Sequence, residues 1–127
     1  MNRTEYLAKL DALNLDKSRY CIVAGGVMLL YGLRESTDDI DLQVSPDYFE
    51  ELKERFDVRK SPKFDYLYEL NDEVEAAVLP LNPEDIREVD GYPVISLEWQ
   101  LNWMKEHNRP KDQERIKIIE KYLAEHP

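Results

Sequence analysis

Tyr20-Cys21-Ile22-Val23-Ala24-Gly25-Gly26-Val27-Met28-Leu29-Leu30-Tyr31-Gly32-Leu33-Arg34-Glu35-Ser36-Thr37-Asp38-Asp39-Ile40-Asp41-Leu42-Gln43-Val44 carries four local signals in succession. Tyr20 to Ala24 is an apolar run bounded by glycine, which reads as a short buried strand. Val27 to Tyr31 is apolar all round and stops at Gly32, the pattern of a short buried helix closed by glycine. A polar turn, Arg34 to Thr37, leads to a segment in which Ile40, Leu42 and Val44 alternate with Asp39, Asp41 and Gln43. That two-residue period belongs to a strand with one apolar and one polar face, so Asp39 and Asp41 are expected on the same side.

Each part has a physical use if a triphosphate lies between them. Backbone N–H groups at a helix start favour anions, and glycine lets phosphates approach the backbone closely, so Gly25 and Gly26 are nucleotide-binding candidates. Two carboxylates on one strand face can ligate one hard cation through oxygen while leaving positions for phosphate oxygens, which makes Asp39 and Asp41 candidates for one or two Mg²⁺ ions. Taken singly, the glycine pair is more often a plain turn, and alternating aspartates are usually the wet face of an amphipathic strand. Their order along the chain points to a site.

Outward from this stretch, Tyr6, Leu7, Leu10 and Leu13 recur at helical spacing, so the spacing predicts an opening helix capped by Thr4 and ending near Asn14. Downstream, Ser45-Pro46 starts a helix with its apolar stripe on Tyr48, Phe49, Leu52 and Phe56. Phe64–Leu70 and Val74–Leu79, separated by Asn71-Asp72-Glu73, read as an antiparallel hairpin, which makes the sheet mixed. Asn82-Pro83 begins a capped turn, Gly91–Ile95 is a proline-bearing edge segment, and Ser96 caps a helix that ends near His107-Asn108. A last helix from about Lys111 places Ile116, Ile119, Tyr122 and Leu123 on one face.

The chain has 127 residues, 43% hydrophobic and 35% charged, which fits a single globular domain spanning residues 1–127. No apolar run reaches the roughly 20 residues of a membrane span. The first residues lack a secretory pattern and Cys21 is the only cysteine, so the cytoplasm is the expected compartment. With 27 acids against 17 Lys and Arg, the net charge of −10 disfavours broad capture of nucleic acid. A cationic small molecule or a protein is a better second substrate. His107 and His126 have no ligand partners at zinc spacing. Cys21 reads as a core residue, Trp99 and Trp103 as core packing on one helical face ahead of a base-stacking platform, and Tyr66 and Tyr68 as sheet cover ahead of an acceptor-pocket lining.

In its strand, Gly-Gly helix start and Asp-x-Asp strand, this sequence resembles the nucleotidyltransferase superfamily, and is similar to small single-domain members such as lincosamide- and aminoglycoside-modifying enzymes and toxin-like proteins. Asp90 to Leu97 and Arg109-Pro110-Lys111-Asp112 resemble the segment that closes the site in those members, so the resemblance spans about Tyr20 to Leu123. It implies an α/β (α+β) fold with a mixed sheet flanked by helices. It also implies transfer of a nucleoside monophosphate from a nucleoside triphosphate to an acceptor hydroxyl, with metal at Asp39 and Asp41.

The family also places a third acid on a later strand. Glu75 is the candidate for metal ligand and proton acceptor, with Glu73 and Glu69 as lesser options. Small-molecule-modifying members often carry that acid three residues before a proline, where this chain has Ala77. Either Glu75 substitutes for it, or only two acids hold metal. Lys105, Arg109 and Lys111 gather near the junction of the last two helices, where Lys105 and Lys111 are candidates for phosphate contact, although cations at helix ends also serve dipole and solubility roles. Arg34 and Thr37 either touch phosphate or shape the turn, and Asp112 is expected to cap the last helix or hold cations in place. Two other functions stay open: a toxin-like transferase acting on RNA or protein, and a non-catalytic interaction protein that keeps the fold. The short chain leaves little material for an acceptor lid, so either a site shared across a homodimer or a shallow one is expected.

Overall fold

The computed structural model describes residues 1–127. Helix α1 (Arg3–Ala12) begins at Asn2 rather than Thr4. Asn2 accepts from the backbone of Glu5 while Glu5 reaches back to the Asn2 N–H, a reciprocal cap that the expected Thr4 start would lack. The chain then enters β1 (Tyr20–Ile22), α2 (Gly25–Leu30) and β2 (Ile40–Val44). The glycines thus form the first turn of α2, and Asp39 sits one residue ahead of β2.

Pro46 opens α3 (Pro46–Arg55), which buries Tyr48, Phe49 and Leu52. A two-residue strand, β3 (Arg59–Lys60), follows, then the hairpin β4 (Leu67–Glu69) and β5 (Val74–Val78). Asn82 caps a single 3₁₀ turn before β6 (Ile86–Val89) and β7 (Tyr92–Ile95). Ser96 caps α4 (Leu97–His107), accepting from the Trp99 N–H at 3.1 Å, and Asn108 closes it at φ 46°. Helix α5 (Gln113–Glu125) completes the chain.

The strands form one mixed sheet in the order β3-β4-β5-β2-β1-β7-β6. β1 runs antiparallel to β2 and parallel to β7, and β2 runs parallel to β5. Gly91–Ile95 is therefore not an edge segment. Tyr92–Ile95 lies inside the sheet between β1 and β6, and Pro93 is tolerated beside the β6 edge strand opposite Glu88. The alternation read in β2 is real: Ile40, Leu42 and Val44 are wholly buried, and they join Ile22, Met28, Leu29 and Leu52 in a core of 23 residues. No large hydrophobic side chain is exposed, and no helix is long and apolar enough to cross a membrane.

Candidate active site

The C-terminal end of β1, the start of α2, the polar face of β2–β5 and the α4–α5 junction enclose a cavity of about 390 Å³. Its acidic wall comes from the sheet. Parallel pairing sets Asp41 opposite Glu75 and Gln43 opposite Ala77, so Glu75 is the acid level with Asp41, while the Ala77 position lies one face-step further along. Asp39, Asp41 and Glu75 all line the cavity. Burial, then the negative charges of Glu75 and Asp39, push the Asp41 carboxyl up to about 6, against the pull of Lys63 and Lys111. Glu73 and Glu69 are occupied elsewhere, Glu73 by Lys9 and Glu69 by Arg59 at 3.3 Å.

The two glycines have different jobs. Gly25 lines the cavity, and a Cβ there would stand 2.7 Å from Thr37 Oγ1 and 2.8 Å from Arg34 Nη1. Those three expected residues are therefore packed together, with the Thr37 side chain buried. Gly26 faces away from the cavity. A Cβ on it would meet the Tyr6 hydroxyl at 2.3 Å and Ile22 Cγ2 at 2.7 Å, so Gly26 is required for packing α2 against α1 and β1 rather than for ligand approach. Ala24, just before them, lies at φ 58° and ψ −132°, a conformation that glycine adopts freely and alanine does not. Its N–H donates to Gln100 Oε1 at 3.3 Å, which ties the turn to α4.

The opposite wall is basic. Arg34, Arg109, Lys111 and Arg115 line it. Asp112, fully buried, accepts from Arg109 Nε at 2.6 Å and Arg115 Nη1 at 3.5 Å, so it holds cations in place and makes no side-chain cap to α5. Burial and the neighbouring Arg115 both press the Arg34 guanidinium below its ordinary value, an arrangement that an anion between them would relieve. Lys105 does not belong to this wall. It sits on the outer side of α4, paired with Glu120 of α5 at 3.1 Å, because position 105 falls on the face turned from the cavity.

Three features went unread in the sequence. Arg115 lies within the helical pattern of α5, and only its three-residue spacing from Asp112 hinted at a shared role. Lys63 comes from a turn without any motif and contacts Glu75 at 2.8 Å. Trp99 and Trp103, expected in the core, are half-buried and line the cavity with Phe64 and Tyr66. Arg109 lies over the Trp103 ring at 4.6 Å and His107 stacks on it at 3.8 Å. Tyr68 does cover the sheet, against Phe49.

The donor chemistry fits a hard divalent cation: clustered carboxylate oxygens, no histidine or cysteine in the lining, and an ammonium already drawn to the acids. The side chains are not arranged as a closed three-ligand group, since Glu75 is engaged by Lys63. Asp39 and Asp41 line the cavity without a side-chain ion pair of their own, whereas Glu75 carries one to Lys63.

No protein-family profile and no curated protein matches the chain by sequence. Solved structures do match in shape. A crystal structure of a candidate nucleotidyltransferase from Thermotoga maritima superposes at TM-score 0.62 and 23% identity, covering 99% of this chain and 97% of that one. ANT(2")-Ia in complex with adenylyl-2"-tobramycin superposes at TM-score 0.54 and 20% identity over 93% of this chain and 85% of that one. The solution structure of the antibiotic-resistance factor ANT(2'')-Ia gives 0.57 and 22% over 97% and 86%. With 93–99% of this chain and 85–97% of the neighbours covered at TM-scores of 0.54 to 0.62, the chain has the nucleotidyltransferase fold.

Proposed function

We propose that the protein transfers a nucleoside monophosphate from a nucleoside triphosphate to a hydroxyl of a small-molecule acceptor, releasing pyrophosphate. The observation that carries this reading is one cavity lined by four carboxylates, Asp38, Asp39, Asp41 and Glu75, and by Arg34, Arg109, Lys111 and Arg115. Phosphates suit the basic wall, and the attacking hydroxyl suits the acidic one. Asp39 and Asp41 would hold magnesium, which when bound neutralises phosphate charge and lowers the acceptor hydroxyl pKa. Arg34 and Arg115 orient the β- and γ-phosphates, while Gly25 leaves room for them beside Thr37. The acceptor oxygen forms a bond to the α-phosphorus, the bridging Pα–O bond breaks, and pyrophosphate leaves with that electron pair. The hydroxyl proton passes to Glu75.

Phe64, Tyr66, Trp99 and Trp103 give the cavity an aromatic surface suited to a ring, either the base or the acceptor. The net charge of −10 favours an acceptor bearing amines, in line with the adenylyl-2"-tobramycin held in one structural neighbour. A nucleoside triphosphate substrate supports a cytoplasmic setting for this activity. Incubation with α-labelled ATP, GTP, CTP and UTP, magnesium and a panel of amino sugars tests the reading. Label should move to an acceptor with equimolar pyrophosphate. Label appearing instead on added RNA or protein would shift it to a macromolecular acceptor. A lack of transfer with any nucleotide, together with no rise in melting temperature on adding nucleotide and magnesium, would favour a non-catalytic protein.

A further inference from the structure

The turn between β3 and β4 lies outside every motif that pointed to the site, yet it delivers a cation there. Lys63 Nζ stands 2.8 Å from Glu75 Oε1, and Glu75 has no other side-chain partner. Asp41 and Asp39 are near enough for their charges to reinforce the ammonium. The turn presenting it is built: Ser61 is wholly buried and its Oγ accepts from the Lys63 N–H at 3.2 Å. Lys60 Nζ donates to the Ser61 carbonyl at 2.7 Å and to that of Phe64. The Lys63 side chain is 60% exposed and that of Glu75 only 13%, so the ammonium reaches in from solvent on a flexible stem and is free to swing away.

We propose that Lys63 is a tethered counter-ion, balancing the Glu75–Asp41–Asp39 cluster while no divalent cation is bound and moving onto the polyphosphate when metal and nucleotide arrive together. This rests on the metal-dependent reading above. A divalent ion arriving alone at Asp39 and Asp41 would sit beside the Lys63 ammonium, whose charge already acts on both carboxylates, with no anion other than Glu75 to receive that ammonium. A triphosphate supplies that anion, at a cavity that Lys63 already lines. Metal and nucleotide binding are therefore coupled through one side chain, and each raises the affinity for the other. Lys63 is in this sense a positioning residue: it decides when Glu75 is released to the reaction.

Mn²⁺ uptake, followed by loss of the free-ion electron paramagnetic resonance signal, tests this without turnover. Lys63→Met should bind Mn²⁺ alone about tenfold more tightly than wild type, and addition of a non-hydrolysable ATP analogue should then improve Mn²⁺ affinity much less than it does in wild type. Lys63→Arg should retain the coupling. Lys105→Met removes the same charge away from the cavity and should leave Mn²⁺ binding unchanged. Equal Mn²⁺ affinity in wild type and Lys63→Met would overturn the counter-ion role while leaving the metal site standing, and so would a Lys105→Met effect as large as that of Lys63→Met. Absence of uptake by every variant, with or without nucleotide, would overturn both the role and the metal-dependent reading.

Discussion

The acidic wall of the cavity is anchored in the sheet, where parallel β2 and β5 set Asp41 opposite Glu75, whereas the basic wall hangs on the turn after α2 and on the α4–α5 junction. Strand register fixes the first to within a peptide unit and leaves its charges under mutual repulsion. The second owes its geometry to one buried carboxylate, Asp112, that gathers two guanidiniums. One wall is thus stiff and crowded with negative charge, and the other is gathered by a buried carboxylate while Arg34 and Arg115 still repel each other. Substitutions on the two walls should separate these properties.

The largest effect is expected at the stiff wall. Asp41→Ala or Asp39→Ala should lower transfer by about a thousandfold or more while leaving the circular dichroism spectrum unchanged, and retained turnover would end the proposed mechanism. On the other wall, Asp112→Ala leaves Arg109 and Arg115 without their buried anion. It should cost about 3 kcal/mol in urea unfolding and raise the KM for nucleotide at least about tenfold. A loss of stability with no change in KM would detach the basic wall from the nucleotide.

Behind the cavity, Gly26→Ala forces a Cβ against the Tyr6 hydroxyl and should destabilise by about 2 kcal/mol. That hydroxyl is buried without a partner, so Tyr6→Phe should be neutral or stabilising and should recover part of the Gly26→Ala loss. Additive losses in the double variant would refute the contact.

Repulsion on the acidic wall has a pH signature in the metal-free protein. Asp41 titrates near 6 when folded, against 3.8 in the unfolded chain, so between those values the native state keeps a proton that the unfolded state has released. Stability should therefore fall by about 3 kcal/mol as pH rises through this window and stay level above it. Asp41→Asn should remove that slope and melt higher than wild type at pH 7.5. The smallest effect belongs to Lys105→Ala, which lies outside both walls. Its KM for nucleotide should stay within about twofold, with stability changed by under about 0.5 kcal/mol.

The legibility of the two walls in the sequence follows from how they are built. Ile40, Leu42 and Val44 announce a strand through their period, and that period alone puts Asp41 on the polar face. The β4–β5 hairpin and the caps at Ser96 and Asn82 were readable because they rest on local chemistry. Lys63 and Arg115 were not, since a cation in a turn or helix resembles any other until the sheet folds it toward a carboxylate. Gly26 was misread for a related reason. Its neighbour Gly25 does border the cavity, and only the position of Tyr6, twenty residues earlier in chain order, separates the two roles. Lys105 and the tryptophans show the limit of helical spacing, which says which residues share a face but not what that face meets.

Both margins of the sheet also carry charge. β3, at one end, is two residues long with Arg59 and Lys60 exposed, and β6, at the other, turns Arg87 and Glu88 outward. A further strand laid along either margin would have to accommodate those groups, and β3 provides too short a template for extended pairing. Concentrated protein is consequently guarded against fibre-like growth by strand addition, and any symmetric pairing of two copies would have to use helical or loop surfaces instead.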